Sequence, residues 1–203
     1  MNRPALLVAA LVSSFLVARD ARALGPIDFE LAAKGGGATN PSSATINPLG
    51  LGAGGRGGVS FLGFYAGVDI LYYVGGSHTG PTGVVAETET VTQHSLMWGL
   101  DLGYNLKLSI VTLRPQLGVG NLTIHTSTST VDVCPNCLAI GLGSSSQASN
   151  LYLEPGVTAL VSLGDVFVGA DANVLVLPNI ASPGGGNTTE AAFTLHAQVG
   201  VRF

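Results

Sequence analysis

From Phe193 to Phe203 apolar and polar residues alternate without a break. Phe193, Leu195, Ala197, Val199, Val201 and Phe203 fall on one parity, and Thr194, His196, Gln198, Gly200 and Arg202 on the other. A period of two places the two sets on opposite faces of a strand and is incompatible with a helix. The same alternation recurs in seven earlier runs: Ile27–Lys34, Arg56–Phe61, Phe64–Val74, Leu96–Tyr104, Val111–Gly120, Leu151–Leu163 and Val166–Val176. The most apolar window, Val157–Leu177, is interrupted by Gly164, Asp165, Gly169 and Asp171, so no helix long enough to span a membrane is expected there.

Charge decides which face points where. Only 10% of the 203 residues are Asp, Glu, Lys or Arg, while 46% are hydrophobic. A soluble sandwich or lipocalin-like barrel turns its apolar faces inward and covers itself with about 25–35% charged residues. This chain lacks them, so the apolar parity is expected to meet lipid and the polar parity to line an interior. The same composition excludes a disordered chain and a coiled coil. A net charge of −4 without a basic stripe excludes a nucleic-acid partner.

Residues 1–23 read as a cleaved signal peptide. Arg3 is the positive start, Ala5–Ala18 the apolar stretch, and Ala21-Arg22-Ala23 the small-x-small cleavage site. Residues 24–203 then form the barrel domain. The runs are joined by short connections near Leu62-Gly63, Asn105–Leu108 and Gly164-Asp165, alternating with long ones at roughly 39–51, 77–91, 122–147 and 178–189. The expected fold is all-β: an eight-stranded antiparallel up-and-down transmembrane β-barrel with periplasmic termini and external long loops. Phe29, Phe61, Phe64, Tyr104 and Phe203 should ring the short-turn end. At Asn121–Leu122 the alternation slips by one, which predicts a bulge or the start of the third long loop. The glycine-rich Gly52–Gly58 stretch predicts close strand contacts or a bulge near the rim.

With these runs and the terminal strand ending on Phe203, the chain resembles the small eight-stranded outer-membrane β-barrel proteins of Gram-negative bacteria, the OmpA/OmpX-like and porin-family barrels. The resemblance implies an outer-membrane location and outer-membrane lipid as surroundings. It also implies an assembly signal in the last strand (Leu195, Val199, Val201, Phe203) read by the barrel-assembly machinery. A monomer is expected, with an external ligand that the sequence does not identify.

The inner parity carries Asp28, Glu30, Lys34, Arg56, Asp69, Asp101, Arg114, Glu154, Asp171, His196 and Arg202. This set predicts a lumen charge network, because a basic residue facing mid-bilayer lipid costs about 2–4 kcal/mol. Two readings stay open. The charges form a polar plug, since eight-stranded barrels fill their interior with side chains, or they line a narrow cation-preferring path. Inward glycines such as Gly67, Gly99 and Gly118 either open that path or make room for long Arg and Glu side chains.

The barrel is expected to be non-enzymatic, with loops for envelope support or binding and with no cofactor. An outer-leaflet lipid enzyme built on Glu87, Glu89, His94 and Ser95 is the remote alternative. Cys134 and Cys137, in the third long loop, are expected to form a disulfide, as in exported proteins generally. No metal site is expected there, because structural zinc takes about four ligands and only His125 is near.

Overall fold

The computed structural model describes residues 27–41, 44–81, 87–132, 142–181 and 187–203. Among these it contains β1 (Ile27–Ala38), β2 (Leu51–Phe61), β3 (Phe64–Pro81), β4 (Glu87–Tyr104), β5 (Leu106–Leu108), β6 (Val111–Asp132), β7 (Leu142–Leu163), β8 (Val166–Ala181) and β9 (Asn187–Arg202). β5 is a three-residue hairpin arm on the start of β6. The other eight are long and form one antiparallel sheet in the order β4-β3-β2-β1-β9-β8-β7-β6, closed by pairing of β4 with β6. The molecule is therefore a closed eight-stranded up-and-down barrel, an arrangement in which every long strand has a partner on both sides. The predicted signal peptide and the Cys134–Cys137 pair lie outside the described residues.

Each strand presents the predicted faces. Val68, Ile70, Leu100, Leu102, Leu195 and Val199 are exposed on the outer wall, while Glu30, Asp69, Arg114, Asp171 and His196 are buried within. A hydrocarbon surround is the environment in which this distribution is favourable, because the barrel satisfies its own backbone groups and turns a band of apolar side chains outward. The expected aromatic girdle forms at the short-turn end, where Phe29 stacks on Phe203 at 6.1 Å and Phe64 meets Tyr104 edge-on at 5.1 Å.

Three expectations are corrected. First, much of the predicted long connections at 77–91, 122–147 and 178–189 is strand. β3 runs to Pro81, β4 starts at Glu87, β6 reaches Asp132, β7 starts at Leu142, and β8 and β9 reach Ala181 and Asn187. These extensions are rich in Ser and Thr, and β-branched Thr suits a strand without an apolar face.

Second, there is no bulge at Asn121–Leu122. β6 keeps an unbroken register with β4 and with β7 through this point. The register shifts lie elsewhere, between Val74 and Ser77 of β3 and between Leu177 and Ile180 of β8. The Gly52–Gly58 stretch likewise contains no bulge, since β2 pairs regularly on both sides, and its glycines serve close contact.

Third, Asn105–Leu108 is not a simple turn. β5 pairs back on Val111–Leu113, and the reversal falls at Ser109 and Ile110, with Ser109 at φ 57°.

The β2–β3 turn holds Leu62 at φ 51° and Gly63 at φ 90°, the two positive values of a type I′ hairpin. A left-handed conformation costs a residue with a Cβ about 1–2 kcal/mol, and Asn is better tolerated there. Leu62→Asn is therefore expected to raise barrel stability by about 1 kcal/mol. Urea unfolding of the refolded barrel in lipid vesicles checks this, and an unchanged or lower midpoint would contradict the strain argument.

Candidate functional site: a lumen in three tiers

Inward side chains stack in three tiers from the short-turn end upward. At the bottom, Glu30 of β1 receives three arginines. Arg114 of β6 donates through Nη2 to both carboxylate oxygens at 2.7 and 2.8 Å. Arg202 of β9 donates from Nη2 at 2.7 Å, and Arg56 of β2 from Nη2 at 3.2 Å. Arg114 is fully buried, its guanidinium 3.7 Å from the centroid of the Tyr65 ring. Its Nε donates to Asn105 at 2.6 Å, and Asn105 in turn donates to Ser60. Cation–π contact and charge-assisted hydrogen bonds are means by which a buried guanidinium is stabilised.

The middle tier reverses the charge. Lys34 pairs with Asp69 and, at 3.4 Å, with Asp171. His196 joins Asp171 through Nδ1 at 3.0 Å, and its Nε2 lies 2.9 Å from the Tyr73 hydroxyl. An ionised carboxylate only accepts, so in a neutral ring Nδ1 carries the proton and Nε2 accepts from Tyr73. Asn173 donates to Glu154 and Asp171, Thr194 to Glu154, and Gln198 to Asp171. Asp101 lies opposite Glu154 across Gly118, where any Cβ would approach both acids. Lys34 is thus set among four carboxylates: Asp69, Asp101, Glu154 and Asp171.

The upper tier is mostly apolar, so the expected polar plug is confined to the two tiers below it. Leu71, Met97, Leu122, Leu175 and Leu177 are buried together with Tyr73 and Tyr152. The β1–β2 connection inserts Leu49 into the same cluster, fully buried. Ser95 secures this connection by donating to the Pro48 carbonyl at 2.8 Å, and Asn47 donates to the Ala38 carbonyl at 3.2 Å.

The inward glycines make room chiefly for aromatic rings. The Tyr65 ring covers Gly58 and Gly67, Tyr73 covers Gly52, Tyr152 reaches over Gly99, and Phe167 lies on Gly200. Arg114 does occupy the space beside Gly103, as expected for a long side chain.

Of the eleven inner residues read from sequence, nine are buried: Glu30, Lys34, Arg56, Asp69, Asp101, Arg114, Glu154, Asp171 and His196. Arg202 is half-buried and joins the lower tier. Asp28 does not belong to the network. It stands at the barrel end and faces Lys107 at 3.8 Å, its side chain half-buried and that of Lys107 largely open to solvent. Tyr65, Tyr73, Asn105, Asn173, Thr194 and Gln198 complete the tiers. All but Asn105 lie on the inward parity read from the sequence; Asn105, in a short connection, has no alternation to place it.

Of the remote catalytic grouping, the Glu87 side chain lies outside the described residues, and His94 and Ser95 are not brought together. His94 faces outward on β4, whereas its neighbour Ser95 faces inward and is fully buried. Among the described residues no three His, Cys, Asp or Glu side chains are placed to hold a metal ion.

No family model matches the chain, and no curated protein matches it in sequence. Its fold does match solved structures. A major outer membrane protein from Thermus thermophilus is similar with a TM-score of 0.56 at 13% identity, over 87% of this chain and 99% of that one. Neisserial surface protein A is similar with a TM-score of 0.51 at 16% identity, over 88% and 97% of the two chains. The shared property is the fold, an eight-stranded β-barrel of the outer-membrane kind.

Proposed function

We propose that this chain is an integral outer-membrane β-barrel protein with a closed lumen, which acts through its loop end rather than as a pore. In this reading the signal peptide exports it, the short turns and both termini face the periplasm, and the assembly machinery reads the strand that ends at Phe203. Outer-membrane lipid surrounds a single copy, and no reaction is catalysed. The apolar upper tier carries the reading. Leu49, Leu71, Met97, Leu122, Leu175 and Leu177 fill the lumen there, with Glu190 beside Leu177 as the one buried charge at that level among the described residues, and a bare ion crossing such a layer costs several kcal/mol. The lower tier supports it further, since its arginines are committed to one carboxylate and to ring faces.

A narrow cation-preferring path is the second reading. The excess of carboxylates around Lys34 favours it, because rings of acids select cations. Single-channel recording of the refolded barrel in a planar bilayer separates the two, with folding verified by a heat-dependent gel shift. The closed reading predicts silence. Discrete cation-preferring steps that change in Asp101→Asn or Arg114→Ala would replace it with the channel.

A further inference from the structure

Two histidines meet on the outer wall. His94 of β4 and His125 of β6 are direct cross-strand partners, and their rings stack at 5.0 Å with planes within 10° of parallel. Tyr72 of β3 flanks His94 at 5.8 Å. Among the described residues neither imidazole is hydrogen-bonded or ion-paired. Both rings are half-buried, and their neighbours in the ladder, Leu96 with Thr123 and Thr92 with Ser127, hold the two backbones in register.

Their height matters. Along the outward face of β4 the chain climbs from Tyr104 through Leu102, Leu100, Trp98 and Leu96 to His94. At about 3.3 Å per residue and a tilt of about 40°, that rise is about 25 Å, the height of a lipid-facing apolar band. Beyond it the outward residues are Thr92 and Thr90 on β4 and Ser127 and Ser129 on β6. The pair therefore stands where the wall leaves the hydrocarbon and where aqueous ions reach it.

We propose that His94 and His125 form a binding site for a divalent transition-metal ion of the imidazole-preferring kind, with Cu²⁺ held most tightly and Ni²⁺ and Zn²⁺ less so. Neutral imidazole is the commonest protein ligand for such ions, and copper heads the affinity order for nitrogen sites. Metal–nitrogen bonds of about 2.0–2.1 Å require the two donor atoms to approach within roughly 3–4 Å, so the near-parallel rings tilt toward each other to bind. No backbone movement is needed, because the ladder already sets the two side chains opposite one another. Two protein ligands leave the remaining positions to water. The bound ion staples β4 to β6 at the membrane boundary.

The chain's single tryptophan supplies the readout. Trp98 lies four residues from His94 on the same outward face, about 13 Å along the strand, close enough for bound Cu²⁺ to quench its emission. The probe is CuCl₂ titrated into the untagged chain, refolded in detergent micelles in a Cys134→Ser/Cys137→Ser background so that no thiol competes. Saturable quenching with one ion per chain is expected. His94→Asn and His125→Asn should each raise the half-saturating copper concentration by about tenfold or more, while His78→Asn leaves it unchanged. Quenching that does not saturate, that survives the double His94→Asn/His125→Asn variant, or that Ca²⁺ reproduces would overturn the site. If a histidine variant fails the heat-dependent gel shift, paramagnetic resonance of Cu²⁺ on the parent protein decides. Coupling to two imidazole nitrogens is expected, and its absence overturns the proposal.

Discussion

Glu30→Ala should destabilise the barrel by about 3–5 kcal/mol, the cost of removing one partner from a buried ion pair. Among the described residues Glu30 is the only carboxylate to which Arg56, Arg114 and Arg202 are paired, and its own side chain is inaccessible to solvent. Without it three guanidinium groups share the base of the lumen and repel one another. Arg114 suffers most, because it is fully buried and its Nη1 already lacks a hydrogen-bond partner. Glu30→Gln keeps the shape but not the charge, so it should lose nearly as much. Adding Arg114→Met to Glu30→Gln should recover part of the loss, since it removes the fully buried guanidinium that would otherwise stay charged without a partner. Urea unfolding in lipid vesicles, followed by Trp98 emission, measures all three. A loss below about 1 kcal/mol for Glu30→Ala would show that water solvates the arginines. The lower lumen would then be wet, and the closed reading would lose one of its supports.

Leu122→Ala is expected to cost about 2–5 kcal/mol, the range for truncating a fully buried leucine. Leu122 has no solvent exposure and packs in the upper tier with Leu71, Met97 and Tyr152. The neighbouring Thr123 faces outward, where it donates to Asn121 at 3.1 Å, and Thr123→Ala should change stability by no more than about 0.5 kcal/mol. The contrast between adjacent residues tests the register directly. A bulge at Asn121–Leu122 would turn Leu122 to the outer wall and make its truncation cheap. Vesicle unfolding of the two variants side by side distinguishes these cases.

Much of the architecture was legible because a strand has a period of two. Parity alone placed Glu30, Asp69, Asp101, Arg114, Glu154, Asp171 and His196 on the inner face, although they come from seven strands. Parity carries no height, however. Asp28 shares the parity of Glu30 but stands at the open end, where Lys107 and water meet it. The hydroxyl-rich extensions were misread as loops for a related reason. Thr126–Thr130 and Ser144–Ser146 have no apolar face to alternate, yet their backbones pair as β6 with β7.

The slip at Asn121–Leu122 suggested a bulge or a loop because Val119 faces out and Ile124 in, whereas β6 stays regular and Leu122 and Ile124 pack into the apolar upper lumen. His94 and His125 fall outside the alternating runs, in or beside the predicted long connections, and nothing in a single chain says that residues 31 positions apart face one another.

The sequence by itself determined that the chain closes into a lipid-facing barrel. Alternating runs need an apolar medium on one side, and 10% charge leaves too little to face water on the other. Tertiary structure alone decided what the lumen holds. Barrel closure sets Tyr73 against His196, 123 residues away, and Arg114 against Glu30, 84 residues away. It also seats Leu49, from a connection, inside the wall. Those pairings depend on strand stagger around the ring, a property of all eight strands together that no one run encodes.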